Sequence, residues 1–471
     1  MKNNKFFITT TLPYVNADPH LGFAMEIVEA DILARYHKLL SEDVIFNTGT
    51  DEHGAKIYQS AQDQEKAPQD YVDEYAAKFD DLKKYLNLSY TNFIRTTDPK
   101  HKKAAKEFWN RCMARGDIYK KNYQIKYCVG CELEKTDSEL EAGICPLHPN
   151  LEIQLISEEN YFFKFSNYQE PLLDYYRNNP DFVVPDFRFR EINQFVEQGL
   201  QDFSISRLKE KMPWGVEVPG DQDHVMYVWF DALVNYISTL GWPNNEEKFI
   251  DFWPGVQMAG KDNLRQQSAM WQAMLMSAGL PNSKQIIIHG FINSNGQKMS
   301  KSLGNVIHPF DLVEKYGTDA VRFFIAHELN TFEDSDVTPE RIHDSYTANL
   351  SNGLGNLVAR IAKLCENNNL EAPDSLIEFD PKMEVYLKAY KFNEALGHIW
   401  SEIAAADKQI SDEKPWELEG DRVKEILLGL VGKIQHIAFN LQPFLPETSE
   451  KILKQFSGKI KSSAPLFPRI A

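Results

Sequence analysis

Long apolar runs are missing from this sequence of 471 residues, and none approaches the roughly 20 residues that a transmembrane helix needs. The apolar stretch at residues 6–13 is short and rich in threonine, and no small-residue cleavage site follows it. We therefore interpret it as a buried strand. The expectation is a cytoplasmic protein without a membrane partner.

Cysteine is scarce. The chain has five cysteines, an odd number that argues against a disulfide scaffold and fits a reducing compartment. Cys112 and Cys365 are predicted to be buried packing residues, whereas the other three belong to a motif described below.

An excess of positive charge is also missing, since the net charge is -17. This balance argues against a protein with a basic surface for non-specific DNA binding, so no DNA partner is expected. It does not exclude RNA, because an RNA partner needs only a local basic surface. The length and the 43% hydrophobic content predict a globular protein of two to four domains.

Strands and helices alternate at the start of the chain, with strands predicted near 5–12 and 44–48 and a helix over 21–40. Such alternation indicates a parallel sheet whose ligands bind at the carboxyl ends of its strands. Residues 119–224 are aromatic and rich in proline and read as an insertion, after which strands are predicted at 225–230 and 285–289. From about residue 306 the pattern is helical, with long amphipathic segments near 341–368, 383–412 and 420–456.

The turn Pro-His-Leu-Gly at residues 19–22 joins the first predicted strand to the first predicted helix. Backbone N–H groups and the helix dipole favour an anion at such a position. His20 adds a donor, and Gly22 lets a nucleotide approach the backbone. A helix-capping turn with a structural histidine explains the same residues and stays open.

The loop Lys-Met-Ser-Lys-Ser at residues 298–302 follows the predicted strand 285–289. Lys298, Lys301 and two serine hydroxyls can wrap a triphosphate as a mobile clamp. An ordinary solvated lysine loop is the alternative. The clamp is favoured because both motifs occur in the right order at opposite ends of one α/β domain.

Two closely spaced pairs, Cys128-x-x-Cys131 and Cys145-x-x-His148, have the spacing of a tetrahedral structural zinc site. Four protein ligands leave no open position, so the ion should serve folding and not catalysis. Reduced, unliganded side chains are the alternative.

Other motifs are ambiguous by themselves. Asp51 and His53, in Gly-Thr-Asp-Glu-His-Gly, could be a metal pair or an acid/base pair, and a strand-end carboxylate also suits the ammonium of an amino acid. The aromatic segment at 227–236 is explained most simply as core. The turn Gly260-Lys261-Asp262 alone says little.

Taken together, the motifs resemble those of the methionyl-tRNA synthetases, a family of class I aminoacyl-tRNA synthetases, over essentially the whole chain. The similar blocks are His-Leu-Gly-Phe (20–23), Gly-Thr-Asp-Glu-His-Gly (49–54), Tyr-Val-Trp-Phe-Asp-Ala (227–232), Gly-Lys-Asp (260–262) and Lys-Met-Ser-Lys-Ser (298–302). The zinc ligands match the single-zinc branch.

The resemblance implies an α/β fold in which a Rossmann-like parallel-sheet catalytic domain is divided into two halves, 1–118 and 225–305. It places a zinc-binding connective insertion at 119–224 and a stem-contact region at 306–345. An all-α helical-bundle anticodon-binding domain would occupy 346–471. No further dimerising domain is recognisable, so a monomer is expected.

The implied activity is methionine activation with ATP and Mg²⁺, followed by transfer to tRNA(Met), with a structural Zn²⁺. The implied amino-acid pocket is Leu12, Tyr14, Trp229, Ala232, Tyr236 and Gln267, with Asp51 on the substrate ammonium. The implied ATP site is His20, Gly22, Glu26, Gly260, Asp262 and Lys301, and the catalytic residues are His20, Lys298 and Lys301. The implied anticodon readers are Asn356, Arg360 and Trp416.

Three positions depart from the family pattern. Asn263 stands where the family has an apolar residue, and Gln267 stands where it has a pocket histidine. Two amides beside a thioether cost affinity unless they pair with each other or with water, so a different amino-acid substrate stays open.

The third departure is Phe23, which replaces the final histidine of the first signature and removes one phosphate donor. Slower adenylation is expected, and the substitution Phe23→His should raise the rate of ATP–pyrophosphate exchange. An unchanged rate would contradict this explanation.

Two rival functions remain. One is a tRNA-independent paralogue that uses the aminoacyl-adenylate to form an amide, which the match at Asn356, Arg360 and Trp416 disfavours. The other is a weakly active tRNA-binding relative, suggested by Phe23 and disfavoured by the intact lysine loop and Asp51.

Overall fold

The computed structural model describes residues 4–131, 133–135, 139–299, 304–373 and 377–470. The strands are β1 (Lys5–Thr9), β2 (Asp43–Thr50), β3 (Asn92–Arg95), β4 (Ile118–Cys128), β5 (Leu133–Lys135), β6 (Gln154–Phe163), β7 (Val183–Val184), β8 (Phe203–Ser204), β9 (Ser206–Leu208), β10 (His224–Met226), β11 (Val256–Gly260), β12 (Gln285–His289), β13 (Ile292–Ser294), β14 (Gln297–Lys298) and β15 (Ser335–Val337).

The α-helices are α1 (Leu21–Leu39), α2 (Ala55–Asp63), α3 (Pro68–Tyr85), α4 (Pro99–Ala114), α5 (Gln169–Asn178), α6 (Asp186–Glu197), α7 (Val228–Ala232), α8 (Asn235–Ser238), α9 (Glu246–Phe252), α10 (Trp271–Ser277), α11 (Pro309–Tyr316), α12 (Thr318–Phe323), α13 (Pro339–Ser345), α14 (Asn356–Asn367), α15 (Pro381–Lys388), α16 (Phe392–Glu413), α17 (Asp421–Leu441) and α18 (Pro446–Gln455). Wider, π-helical turns occur at Gln266–Met270, Phe324–Glu328 and Tyr346–Gly355.

Contacts divide the chain into two compact units, neither of which is continuous in sequence. Unit 1 comprises Met1–Asp18, Asp43–Asp81 and Tyr90–Ile288. Unit 2 comprises Pro19–Glu42, Leu82–Ser89 and His289–Ala471. The finer functional boundaries expected from the sequence remain predictions.

A six-stranded sheet in the order β3-β2-β1-β11-β12-β7 forms the centre of unit 1. Its neighbours run parallel, with Ile8 paired to Phe46 on one side and to Val256 on the other. Both β1 and β12 are buried along almost their whole length, as expected for strands covered on both faces. The α/β prediction is confirmed.

The insertion contains a four-stranded sheet in the order β5-β4-β6-β8, whose paired strands are antiparallel. The long β4–β6 pair positions Cys128, which is the last residue of β4. The apolar core of unit 1 includes the stacked rings of Phe108 and Trp271, whose centroids lie 5.4 Å apart. Cys112 is fully buried in this core, as predicted.

Unit 2 is mostly helical, as predicted, and contains a fully buried ion pair. Nη1 of Arg322 lies 2.9 Å from Oδ2 of Asp31 on α1, and Nε of Arg35 lies 2.7 Å from the same oxygen. The remaining donors of Arg322 reach the carbonyl oxygens of Leu86, Pro443 and Phe444. Burial alone would raise the pKa of Asp31, but the two guanidinium groups lower it. The cost of burying these charges is offset because every partner is in place.

Several predicted elements differ in detail. The strand expected at 225–230 is shorter, because the chain enters α7 at Val228. The helix expected at 383–412 is interrupted after Lys388, where Tyr390 adopts a left-handed φ of 58°. The helix expected at 420–456 is interrupted before Pro446, which lacks an N–H and is therefore suited to the first turn of α18.

Within the described ranges, no helix is long and apolar enough to cross a membrane.

Candidate active site

The carboxyl ends of β1 and β2 bring two predicted pocket residues together. Tyr14 and Asp51 form a parallel β-bridge. The N–H of Asp51 donates to the carbonyl of Pro13 at 2.9 Å, and the N–H of Val15 donates to the carbonyl of Asp51 at 3.2 Å. Asp51 is buried, and Leu12 lies just before this bridge, partly exposed. A carboxylate at this edge of a parallel sheet is well placed for a ligand.

The residue next to Asp51 is held by an ion pair that sequence inspection missed. The guanidinium of Arg95 donates to both carboxylate oxygens of the fully buried Glu52, at 2.6 and 3.0 Å. Nε1 of Trp214 donates to the Glu52 carbonyl at 2.6 Å. Bidentate bonds of this kind fix geometry as well as adding energy. They hold the backbone at Asp51 in place.

His53 belongs to a buried chain of hydrogen-bonded side chains. Its Nδ1 lies 2.5 Å from Oδ2 of Asp231, whose Oδ1 lies 2.8 Å from Nε2 of His101. Nδ1 of His101 lies 2.9 Å from the hydroxyl of Ser238. Burial would raise the pKa of Asp231, but the charge and hydrogen bonds of the two imidazoles hold it well below its usual range. These bonds make His53 a support for the strand end, a role that the sequence did not suggest.

The aromatic segment contributes both to the core and to an apolar cluster. Tyr227 and Val228 form this cluster with Tyr127, and Tyr14 and Trp229 pack against it. Tyr14 and Trp229, which are both predicted to line the amino-acid pocket, therefore pack against the same apolar cluster.

Gln267, which replaces the expected histidine, has a hydrogen-bond partner within the protein for each polar atom of its side chain. Its Nε2 donates to the hydroxyl of Tyr236 at 2.6 Å, and its Oε1 accepts from Nε2 of Gln257 at 3.3 Å. All three side chains are buried, as is Ala232. The affinity penalty expected of an unpaired amide therefore does not arise at this position.

Asn263, the other amide, lies in the turn after β11 that carries Gly260 and Asp262. Its Nδ2 donates to Oδ1 of Asp262 at 3.3 Å, near the surface. The contact restrains the carboxylate that the resemblance assigns to adenosine.

His20 caps α1. Its Nδ1 accepts the N–H of Gly22 at 3.1 Å, so in the neutral ring the proton lies on Nε2, a donor. A Cβ at Gly22 would lie only 2.9 Å from Cε1 of His20. His20 therefore caps the helix through Nδ1, whereas its role at the phosphates stays a prediction, and the glycine makes room first of all for the His20 ring.

Glu26 has a partner that the sequence did not reveal. Its carboxylate lies 2.9 Å from Nε2 of His289, at the end of β12, and both side chains are buried. Burial would lower the pKa of His289, but Glu26 and the nearby Glu29 raise it to about 9. Burial raises the pKa of Glu29 to about 7. The cationic imidazole therefore orients Glu26 at neutral pH.

The substitution His289→Gln should destabilise the protein by an amount that depends on pH. In the folded state the pKa is raised from 6.5 to about 9, so the histidine contributes its full stability below pH 6.5 and loses it as pH rises through 9. The difference in unfolding free energy between wild type and variant should shrink across this interval, measured by urea unfolding. A difference independent of pH would contradict the assignment.

The lysine motif starts in the hairpin of β13 and β14, where Lys298 pairs with Asn293, so its first residue lies in a strand and not in a loop. Met299 lies near α1, with Cε 3.9 Å from the position of a Cβ at Gly22. The side chain of Lys298 and the whole of Lys301 lie outside the described residues, so the clamp stays a prediction.

The four predicted zinc ligands converge. Their donor atoms all lie within 4.8 Å of one another, with Sγ of Cys131 at 3.5 Å from Sγ of Cys145 and 3.2 Å from Nδ1 of His148. Sγ of Cys128 lies 3.8 Å from the same nitrogen. Zn–S and Zn–N bonds of about 2.3 and 2.0 Å give tetrahedral edges of about 3.3–3.8 Å, so this donor set fits zinc.

Gly130 allows this arrangement, since a Cβ there would lie 2.4 Å from the His148 ring. Gly130→Ala should displace the ligand and weaken zinc binding by roughly 10- to 100-fold, measured by competition with a chromophoric chelator. Gly143→Ala is the matched control. Its φ of +80° strains the backbone of any residue with a side chain, yet nothing lies within 4 Å of the added Cβ, so this variant tests backbone strain without a clash against a ligand. Equal zinc affinity in both variants would contradict the explanation.

The predicted anticodon residues lie in the helical region. Asn356 and Arg360 are one turn apart at the start of α14, and Arg360 forms a 2.5 Å ion pair with Asp407 on α16. The side chain of Trp416 is 53% exposed, which is unusual for tryptophan and suits stacking on a base.

The family model described as tRNA synthetases class I (M) matches residues 6–154 and 152–362. The methionine–tRNA ligase of Thermotoga maritima is 41% identical over 98% of this chain and 76% of its own length. That of Nostoc sp. is 40% identical over 96% of this chain and 89% of its own length. The structure of Mycobacterium tuberculosis methionyl-tRNA synthetase in complex with methionyl-adenylate is 34% identical, with a TM-score of 0.92 covering 99% of this chain and 100% of that one.

The class is therefore the class I aminoacyl-tRNA synthetases, in agreement with the parallel sheet and its strand-end site. Within that class, this chain belongs to the methionine–tRNA ligase family.

Proposed function

We propose that this chain activates L-methionine with ATP and transfers the methionyl group to tRNA(Met). The observation that carries the proposal is the buried carboxylate of Asp51, bridged to Tyr14 at the carboxyl end of the sheet. A carboxylate pairs with the substrate ammonium, and the aromatic faces of Tyr14 and Trp229 suit an apolar, polarisable thioether.

Adenylate formation needs no protein nucleophile. A carboxylate oxygen of methionine attacks the α-phosphorus of ATP, and pyrophosphate leaves together with Mg²⁺. Nε2–H of His20 and the ammonium groups of Lys298 and Lys301 stabilise the charge that builds on the phosphates, and Gly22, Glu26, Gly260 and Asp262 position the nucleotide. Catalysis consists of positioning and electrostatic stabilisation.

In the second step, a hydroxyl of the terminal tRNA ribose attacks the methionyl carbonyl, and AMP leaves. Arg360 and Asn356, one turn apart, and the exposed Trp416 offer hydrogen bonds and a stacking face to unstacked anticodon bases. A zinc ion held by Cys128, Cys131, Cys145 and His148 would stabilise the fold of the insertion. The enzyme acts in the cytoplasm as a monomer.

The decisive test is ATP–pyrophosphate exchange with each of the twenty amino acids, followed by aminoacylation of tRNA(Met). Of the twenty amino acids, we expect only methionine to support exchange, and this exchange should not require tRNA. The aminoacylation assay should then yield methionyl-tRNA. Adenylation without transfer to tRNA would favour the amide-forming alternative. Failure of zinc-loaded protein to form any aminoacyl-adenylate, while ATP still binds, would refute the proposal.

A further inference from the structure

Two histidines and two carboxylates meet where three helices of unit 2 come together. Asp380 is the N-cap of α15, and His398 and Glu402 lie one turn apart on the same face of α16. His436 lies on α17. None of these side chains belongs to the adenylate site, the anticodon residues or the cysteine motif.

The donor atoms have the spacing of metal ligands. The donor atoms of Asp380, His398 and Glu402 all lie within 4.8 Å of one another. Oδ2 of Asp380 lies 3.0 Å from Nε2 of His398 and 3.6 Å from Nε2 of His436. Glu402 approaches the same two nitrogens at 3.9 and 3.8 Å. Metal bonds of 2.0–2.2 Å to nitrogen and oxygen give tetrahedral edges of about 3.3–3.6 Å, so on binding an ion the 3.0 Å separation would have to lengthen and the 3.8 and 3.9 Å separations would have to shorten.

The two carboxylates of the cluster favour a bound cation. Oε2 of Glu402 is buried and makes no hydrogen bond within the described ranges, although it lies 3.8 Å from the His436 ring. Burying a carboxylate oxygen without a partner is costly. The ion pairs of Asp380 and Glu402 seen in the described part of the chain are with these two imidazoles, which carry a full positive charge only when protonated.

The backbone around the cluster is held by the fully buried Asn440. Its Oδ1 accepts the N–H of Asp380 at 2.8 Å, and its Nδ2 donates to the carbonyl of His436 at 3.0 Å. The same Nδ2 makes only a long contact of 3.4 Å with Nε2 of His436. Asn440 therefore links the main chain at Asp380 to the main chain at His436.

We propose that Asp380, His398, Glu402 and His436 bind one divalent transition-metal ion of the zinc type. Imidazole and carboxylate ligands suit Zn²⁺, which takes four ligands, and disfavour Ca²⁺ or Mg²⁺, which prefer oxygen alone at higher coordination number. With four protein ligands the site is structural. It ties the start of α15 to α16 and α17.

The first test counts zinc. The full-length chain, loaded with Zn²⁺ and freed of excess metal by gel filtration, should contain one zinc more per chain than its Asp380→Asn and Glu402→Gln variants. Asparagine keeps the helix cap, and glutamine keeps the shape of Glu402, so both variants should fold. Glu394→Gln is the control, because this exposed carboxylate lies on α16 and pairs only with Lys391 among the described residues. Its zinc content should equal that of wild type.

The second test uses Co²⁺, which distinguishes this site from the cysteine motif. Cobalt bound by cysteine gives a thiolate charge-transfer band, whereas cobalt bound by imidazole and carboxylate gives visible absorption without that band. His436→Asn should remove the second signal, leave the first, and lower Co²⁺ affinity at the second site at least about tenfold. Equal zinc content and equal cobalt spectra in wild type and all three ligand variants would refute the proposal.

Discussion

Replacing Asp51 by asparagine is expected to reduce kcat/KM for methionine in ATP–pyrophosphate exchange by roughly 30- to 4,000-fold. The estimate follows from the loss of one partner in a buried charge pair, about 2–5 kcal/mol, at 1.4 kcal/mol per tenfold. Asparagine preserves the size of the side chain and the backbone bridge to Tyr14, which does not involve the side chain. The loss would therefore reflect the missing charge opposite the substrate ammonium.

Asp63→Asn is the control for this change. Asp63 is an exposed carboxylate at the end of α2 and accepts a hydrogen bond from Gln59. Its substitution removes one negative charge without touching the strand end, so activity should remain at the wild-type level. If Asp51→Asn kept wild-type kcat/KM for methionine, the assignment of Asp51 to the ammonium would be wrong.

The second large effect concerns folding. Gly49 precedes the site on β2 and pairs with Ile94 on β3, and a Cβ at Gly49 would lie 1.7 Å from the carbonyl oxygen of Ile94. The obstructing atoms are main-chain atoms of β3, which cannot move aside without disrupting the pairing of β3 with β2. Gly49→Ala should therefore cost more than about 4 kcal/mol of unfolding free energy, as expected for severe overpacking. The measurement is the urea midpoint followed by circular dichroism, together with the soluble yield.

A helical glycine provides the comparison. Gly429 on α17 has nothing within 4 Å of its added Cβ, so Gly429→Ala should stabilise the protein by roughly 0.5–1 kcal/mol. Normal stability of Gly49→Ala would show that β2 and β3 separate more easily than their pairing indicates.

Features with a local signature were predictable from the sequence. Strand β12 has the predicted bounds because an apolar run lies between polar residues, and α1 begins at Leu21 after its capping histidine. The cysteine motif was recognisable because its ligands come in closely spaced pairs. Helix ends were harder to predict, since the left-handed Tyr390 has no strong sequence preference for that conformation.

The supporting contacts around the site could not be predicted. Arg95 and Glu52 are 43 positions apart, His101 and Asp231 are 130 apart, and Glu26 and His289 are 263 apart. No periodicity or motif joins such pairs, because folding alone brings them together. The sequence therefore suggested candidate groups for contacting substrate, which stay predictions, but not the buried partners that hold them.

The discontinuity of unit 2 also affects how the protein is made on the ribosome. Asp31 is synthesised almost three hundred residues before Arg322, its buried ion-pair partner. At 5–20 residues per second, the delay is roughly 15–60 s. During that time the nascent α1 segment cannot bury its carboxylate with this arginine, so unit 2 reaches its final packing only late in translation.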